Sequence, residues 1–270
     1  MRTQKSSFRF MFMLVLIFAL AAFPGSASAN HSWGKYHWAR TSNPFTLKVG
    51  DNVNSTWDTY LNEAISDWNP STVLDLTKVT GSTTGSTCAP TSGRIEVCNA
   101  AYGTTGWLGI AQIWTVRGSH IAQATTKVND TYFNQAQYNT PAWRRLVMCQ
   151  EIAHDFGLDH QDETFNNPNL GSCMDYTNDP DGGGFYGPSN EHPNQHDFDQ
   201  LVSIYSHLDR TSTVGTAAAV DAPPGFANAD MHAQENWGKK VRESADGRST
   251  LFERDFGNGY KVFTFVFWAE

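Results

Sequence analysis

Cationic side chains are few in this chain: 19 Lys and Arg stand against 27 Asp and Glu over 270 residues, a formal net charge of −8. A protein of that sign has no basic face to lay on a phosphate backbone, so no nucleic-acid partner is expected. Long apolar runs are also nearly absent. The one that exists, Phe10–Phe23, falls short of the roughly 20 residues that cross a bilayer, so no membrane anchorage is expected. It follows Arg2, Lys5 and Arg9 and precedes Ala27-Ser28-Ala29, which is the order of a secretory signal. Residues 1–29 are therefore expected to be removed, leaving Asn30 as the first mature residue. The mature chain keeps 16 cations against 27 anions, a formal −11, and is expected to be secreted, extracellular and monomeric. Cysteine is sparse, at four residues. In an exported chain four cysteines imply two disulfides, with three connectivities open. The pairing favoured is Cys88–Cys98, closing a short polar loop, with Cys149–Cys173 stapling two later segments. A free Cys149 acting as a catalytic or metal-binding thiol is the weaker alternative in an oxidising compartment. There is no internal repeat.

What the chain does have is aromatic mass: nine Trp, 17 Phe and nine Tyr. About 240 mature residues suit one medium-sized domain with an appendage. Phe45 to Val49 alternates like a strand. Asn54 or Ser55 then caps a helix carrying Trp57, Tyr60, Leu61, Ala64, Ile65 and Trp68 at three- and four-residue spacings, ended by Asn69-Pro70. Strands are predicted at Val73–Val79, Arg94–Val97, Leu108–Val116 and His120–Val128, the last two joined by a turn at Arg117-Gly118. Thr140 caps the next helix, with Pro141 at its first position, and Gly157 ends it beyond Phe156. Residues 178–194 read as a surface loop. Asn194 caps a third helix whose buried stripe would be Phe198, Leu201, Val202, Tyr205 and Leu208. The domain is thus expected to span residues 30–210. A linker over 211–224 would lead to a small β-rich C-terminal unit, 225–270, with strands near Thr250–Arg254 and Tyr260–Trp268. The fold class is α+β.

The chemistry concentrates in Gln150-Glu151-Ile152-Ala153-His154-Asp155-Phe156-Gly157-Leu158-Asp159-His160. Residues 150 and 154, four apart on a helix, project from one face and can share a metal. His160, three residues past the turn at Gly157, can complete the set. Glu151 is rotated to the side where a water would sit and can take its proton. Glutamine is the odd member, because a neutral amide oxygen is a poorer donor than imidazole.

This stretch, followed by Ser172-Cys173-Met174-Asp175-Tyr176, resembles the metzincin zinc metalloproteases, matrixin- or astacin-like, whose pattern is His-Glu-x-x-His-x-x-Gly-x-x-His and a methionine-containing turn. Glutamine here stands in place of the first histidine. The resemblance covers roughly residues 45–208. It implies a mixed, mainly parallel sheet, a long metal-binding helix, a Met-turn and a C-terminal helix. It also implies a metalloendopeptidase acting on protein or peptide, with Zn2+ on His154, His160 and Gln150 and with Glu151 as general base. Met174 would be a base under the histidines rather than a ligand. Tyr176, two residues on, would reach the metal and bond the oxyanion, or else pack beneath the site. The resemblance further implies that strand 108–116 or strand 120–128 offers an edge to an extended peptide, without saying which. No thiol switch precedes Phe45.

Other residues carry weaker readings. His192 and His196 are separated by Pro193 and read as solvated or capping histidines rather than a second zinc pair. Asp175, Asp179 and Asp181 beside Gly182–Gly184 could form a structural Ca2+ site, but no glutamate closes the loop and a solvated turn is the preferred reading. Asp162 and Glu163 either replace a missing ligand or face solvent, the latter preferred. The rival to the endopeptidase is a secreted, non-catalytic binding module on a degenerate metzincin fold, with recognition by the C-terminal unit.

Overall fold

A computed structural model describes residues 31–216 and 222–270. The expected signal and its cleavage site, and the middle of the expected linker, lie outside the described residues.

The first strand, β1 (His37–Trp38), is a short pair of residues; β2 (Phe45–Asn52) follows, then helix α1 (Asp58–Trp68), β3 (Leu74–Thr80) and β4 (Ile95–Ala100). A hairpin of β5 (Trp107–Val116) and β6 (His120–Asn129) turns at Arg117 and Gly118, both at positive φ. The helices α2 (Asp130–Phe133), α3 (Pro141–His154) and α4 (Gln195–Ile204) come next, and the antiparallel ribbon β7 (Lys239–Glu243), β8 (Ser249–Gly257) and β9 (Tyr260–Trp268) closes the described part. The fold is α+β, with one mixed nine-stranded sheet in the order β3-β2-β4-β6-β5-β9-β8-β7, and β1 added alongside β6.

The sheet changes character at β6. Pairings of β2 with β3 and β4, of β4 with β6 and of β1 with β6 are parallel. From β5 onward every pairing is antiparallel. The expectation of a mainly parallel sheet therefore describes one half only. The C-terminal strands, expected as a small unit of their own, instead continue the sheet: β9 pairs with β5 over nearly its full length, Trp107 opposite Trp268 and Thr115 opposite Lys261. The reason is visible in β9 itself. Tyr-Lys-Val-Phe-Thr-Phe-Val-Phe-Trp has apolar residues on both faces, and such a strand needs cover on both. Phe263, Phe265 and Phe267 join the core under α1 and α3, while Tyr260, Val262 and Val266 join a second core on the opposite face with Trp114, Phe226, Met231 and Trp237. Exposed Lys239 and Lys240 lie on β7, the outer strand of this ribbon, and blunt that edge against further pairing.

Two local readings change with the structure. Asn54 does not cap α1 by its side chain; its carboxamide oxygen accepts from the Thr56 amide, and the helix starts only at Asp58 after Trp57. The third helix, α4, ends at Ile204, so Leu208 falls beyond it and is exposed, and Val202, within the helix, is on its exposed face rather than in the buried stripe. Asn194 caps it as expected, with a reciprocal bond from its own backbone amide to Asp197. Both expected disulfides, Cys88–Cys98 and Cys149–Cys173, are formed. No helix among the described residues is long and apolar enough to cross a membrane.

The second core also buries a cation. Lys127 on β6 is enclosed, with its ammonium donating to the Gln112 carboxamide oxygen at 3.0 Å. Burial pulls its pKa down to about 8, partly offset by Asp230. A lysine whose folded pKa lies below the unfolded one leaves the unfolded state holding more protons between those values. Stability is therefore expected to rise with pH from about 8 to about 10.5, by roughly 3 kcal/mol in all. Denaturant unfolding of the parent and of Lys127→Met across that window checks this, since the slope should flatten in the variant.

Candidate functional site

Helix α3 is built from both ends. The Thr140 hydroxyl accepts the Trp143 amide at 3.3 Å and Pro141 opens the first turn, where a missing N–H costs nothing. At the other end three aromatic donors reach carbonyls that the helix leaves free: Trp33 Nε1 to His154, Trp38 Nε1 to Asp155 and the Tyr205 hydroxyl to Phe156. Gly157 sits at φ 104°, which turns the chain back, and a Cβ there would lie 2.6 Å from the Tyr36 carbonyl oxygen. The reversal brings His160 beside His154, ring centroids 4.6 Å apart and nearly perpendicular.

Each imidazole has one nitrogen fixed and one free. His154 Nδ1 is 2.8 Å from the Leu158 carbonyl, and His160 Nδ1 is 2.9 Å from a Glu163 carboxylate oxygen. Both rings thus present Nε2, and His160 Nε2 is buried with no partner. Burial, reinforced by neighbouring His160, holds the His154 pKa well below its ordinary value, so the ring is neutral, the form that binds a metal. Gln150 is completely buried; its amide nitrogen donates to the Cys173 carbonyl at 2.9 Å, leaving Oε1 without a partner. Glu151 is 1% exposed and its Oε2 is likewise unpaired. Burial, then the nearby Asp155, pushes its carboxyl well above the usual range. Strand β5 presses on it: a Cβ at Gly109 would stand 2.9 Å from Glu151 Cγ.

The Met-containing turn lies beneath. Met174 is fully buried, with its amide donating to the Ser172 hydroxyl and its carbonyl accepting from Gln161. The Tyr176 ring packs 4.4 Å from His160, 4.6 Å from Phe165 and 4.6 Å from Phe267. Burial, then Glu151, raises its hydroxyl well above its ordinary value, opposed by a hydrogen bond with Ser249. Of the five expected site residues, the rings of His154, His160 and Tyr176 are thus in contact between α3, the turn and β9, while Gln150 is bonded to the Cys173 carbonyl and Glu151 lies against β5.

Among their neighbours, Glu163 is the one that departs from expectation. Glu163 does not face solvent but orients His160, and Arg242 of β7 reaches it at 3.4 Å while pairing with Asp159 through both guanidinium nitrogens. Asp175 does not join Asp179 and Asp181 in a calcium site. It is buried, accepting from the Leu170 amide and from Asn190, whereas Asp179 is bonded to Asp181. His192 bonds Asp67 and His196 stacks on His31, so the two share no ligand.

Phe265 is the residue at the site that motif reasoning misses. Its ring lies parallel to His154, centroids 4.2 Å apart with planes 12° apart. The apolar continuity of Tyr260–Trp268 is the one signal that could have announced a strand buried on both faces. With β9 in place the site is closed: none of its five residues is more than 9% exposed. The edge of β5 that could receive an extended peptide is likewise taken by β9. A scan against protein-family models finds no match to this chain, and a search of curated proteins finds none either.

Proposed function

We propose that this chain is a secreted zinc-dependent endopeptidase of metzincin type, closed over by its own C-terminal ribbon. One observation supports the reading: His154 and His160 lie ring to ring with Nε2 of each left over, and Gln150 Oε1, Glu151 Oε2 and His160 Nε2 are buried without hydrogen-bond partners. Each such orphan costs about 1–3 kcal/mol, and a ligand that takes their lone pairs would offset it. Two imidazole nitrogens and an amide oxygen suit zinc, which accepts N and O donors and keeps a fourth position open at catalytic sites. Bound there, zinc supplies Lewis acidity, polarising a peptide carbonyl and lowering the pKa of water toward about 7.

The chain's own residues do the rest. Glu163 and the Leu158 carbonyl lock the histidine tautomers. Glu151, in the ionised form that a cation beside it would favour over the neutral one its burial favours, would take a proton from water at its free oxygen and pass it to the leaving amine. The Tyr176 hydroxyl, freed from Ser249, donates to the developing oxyanion. Strand β5 is the edge that an extended peptide would join once β9 gives way, main chain to main chain. The two disulfides and the absence of a membrane-length helix among the described residues fit export into an oxidising space.

The glutamine makes the sharpest test of the metal set. Gln150→His is expected to tighten zinc more than tenfold, read by competition with a chromogenic chelator; unchanged affinity would remove residue 150 from the metal. Failure of zinc-loaded parent and of an opened variant alike to cleave casein would end the endopeptidase reading. The complete burial of the site is also what favours the second reading, a non-catalytic binding module on the same scaffold, and that result would select it.

A further inference from the structure

A second constellation lies away from α3, where three segments of chain meet. Parallel pairing of β1 with β6 sets His37 beside His120 in register. The chain leaving α4 runs back along residues 39 and 40, with the Asp209 amide donating to the Arg40 carbonyl and the Thr213 amide to the Ala39 carbonyl. This return lays His207 and Asp209 against His37. The Nε2 atoms of His37 and His207 stand 3.1 Å apart. Asp209 Oδ1 is 3.4 Å from His37 Nε2, 3.2 Å from His120 Nε2 and 3.8 Å from His207 Nε2.

These separations have a simple geometric meaning. Zinc binds imidazole nitrogen and carboxylate oxygen at about 2.0–2.2 Å, so donors at the corners of a tetrahedron around it lie about 3.3 Å apart. The four measured distances bracket that value. The ligand nitrogens also point correctly. His37 Nδ1 is 2.7 Å from the Lys35 carbonyl and donates to it, which leaves a lone pair on Nε2 facing the centre. The second oxygen of Asp209 is held by the Arg40 amide at 3.2 Å and its guanidinium at 3.1 Å, which fixes the carboxylate and turns Oδ1 inward. Two imidazole nitrogens facing one another compete for a single proton; a cation between them and the carboxylate resolves that competition.

We propose that His37, His207 and Asp209 form a second site for a divalent transition cation, zinc by its nitrogen-rich donor set, with His120 bonded to the Asp209 carboxylate beside it. The three core donors already lie mutually within 4.8 Å. The site ties the N-terminal strand, the start of β6 and the chain beyond α4 into one joint, and the ring of His207, half-exposed, leaves the cation an entry path. Its role is structural: no carboxylate is left over to act as a base, because Arg40 occupies the only other oxygen.

The test uses the full chain and zinc alone. His207→Ala is the conservative variant, since that side chain is half in solvent and Asp209 keeps its bonds to Arg40. After dialysis the parent should hold about one more zinc per chain than His207→Ala, and Asp209→Asn should match the loss. Cobalt loading gives a second readout: the visible absorption of tetrahedral cobalt should lose one site's share in each variant. Equal metal content and equal absorption in parent and variants would overturn the proposal. Because the difference is read against the parent, the result holds whether or not Gln150, His154 and His160 carry a metal. A parent with one zinc that falls to none in His207→Ala would support this site while counting against the first.

Discussion

Replacing Glu151 by alanine is expected to slow peptide cleavage by about 10²–10⁴-fold, the usual contribution of a general base, while bound zinc stays at the parent's level. The stability change should run the other way from most buried truncations. Glu151 Oε2 has no partner and burial holds its carboxyl well above the usual range, so the folded protein carries a desolvation penalty that alanine removes. An unchanged or higher melting temperature alongside lost activity would separate a chemical role from a structural one. Cleavage of unstructured polypeptide at the parent's rate by Glu151→Ala would discard the residue as base. Loss of zinc together with activity would instead make it part of the metal's surroundings.

Phe265→Ala is expected to have the largest structural effect and the opposite functional sign. The ring is 2% exposed and stacked on His154, so truncation should cost about 3–5 kcal/mol where the site cannot collapse. Most of that loss falls on the seat of β9, which is what closes the site. Cleavage of an unstructured substrate should therefore rise at least tenfold over the parent, and the rise should vanish when Glu151→Ala is added. Hydrogen exchange gives an independent reading: amides of β9 should lose protection before those of α3. A variant that melts earlier yet cleaves no faster would show that the ribbon is not what limits access.

The parts of this molecule that were legible in the sequence are those fixed by neighbours along the chain. Thr140 and Pro141 start α3, Gly157 ends it at positive φ, Asn194 caps α4, and the Arg117-Gly118 turn joins β5 to β6. Residues 150, 151 and 154 follow from helical spacing, and His160 from the reversal that a glycine permits. What was not legible depends on which strand lies next to which. Alternation assigns the faces of a strand but not its neighbours, so nothing in Tyr260–Trp268 names β5 as its partner. The same limit hid the meeting of His37 with His207 and Asp209, separated by some 170 positions. The exposure of Leu208 was missed for another reason: an apolar period can run past the point where hydrogen bonding stops, here at Ile204, whereas Val202 is inside α4 and faces solvent.

The pairing of β5 with β9 also sets an order in time. Strand β5 and helix α3 are synthesised well before residues 260–268, and contacts so distant in sequence are expected to form late. On the proposed reading, Gln150, His154 and His160 would be open to a metal until they form, and the ion would afterwards be shut in behind Phe265. Metal content would then record the conditions at the moment of folding. Protein refolded in the presence of a chelator and later given zinc should fill this site on the timescale of ribbon opening rather than of diffusion.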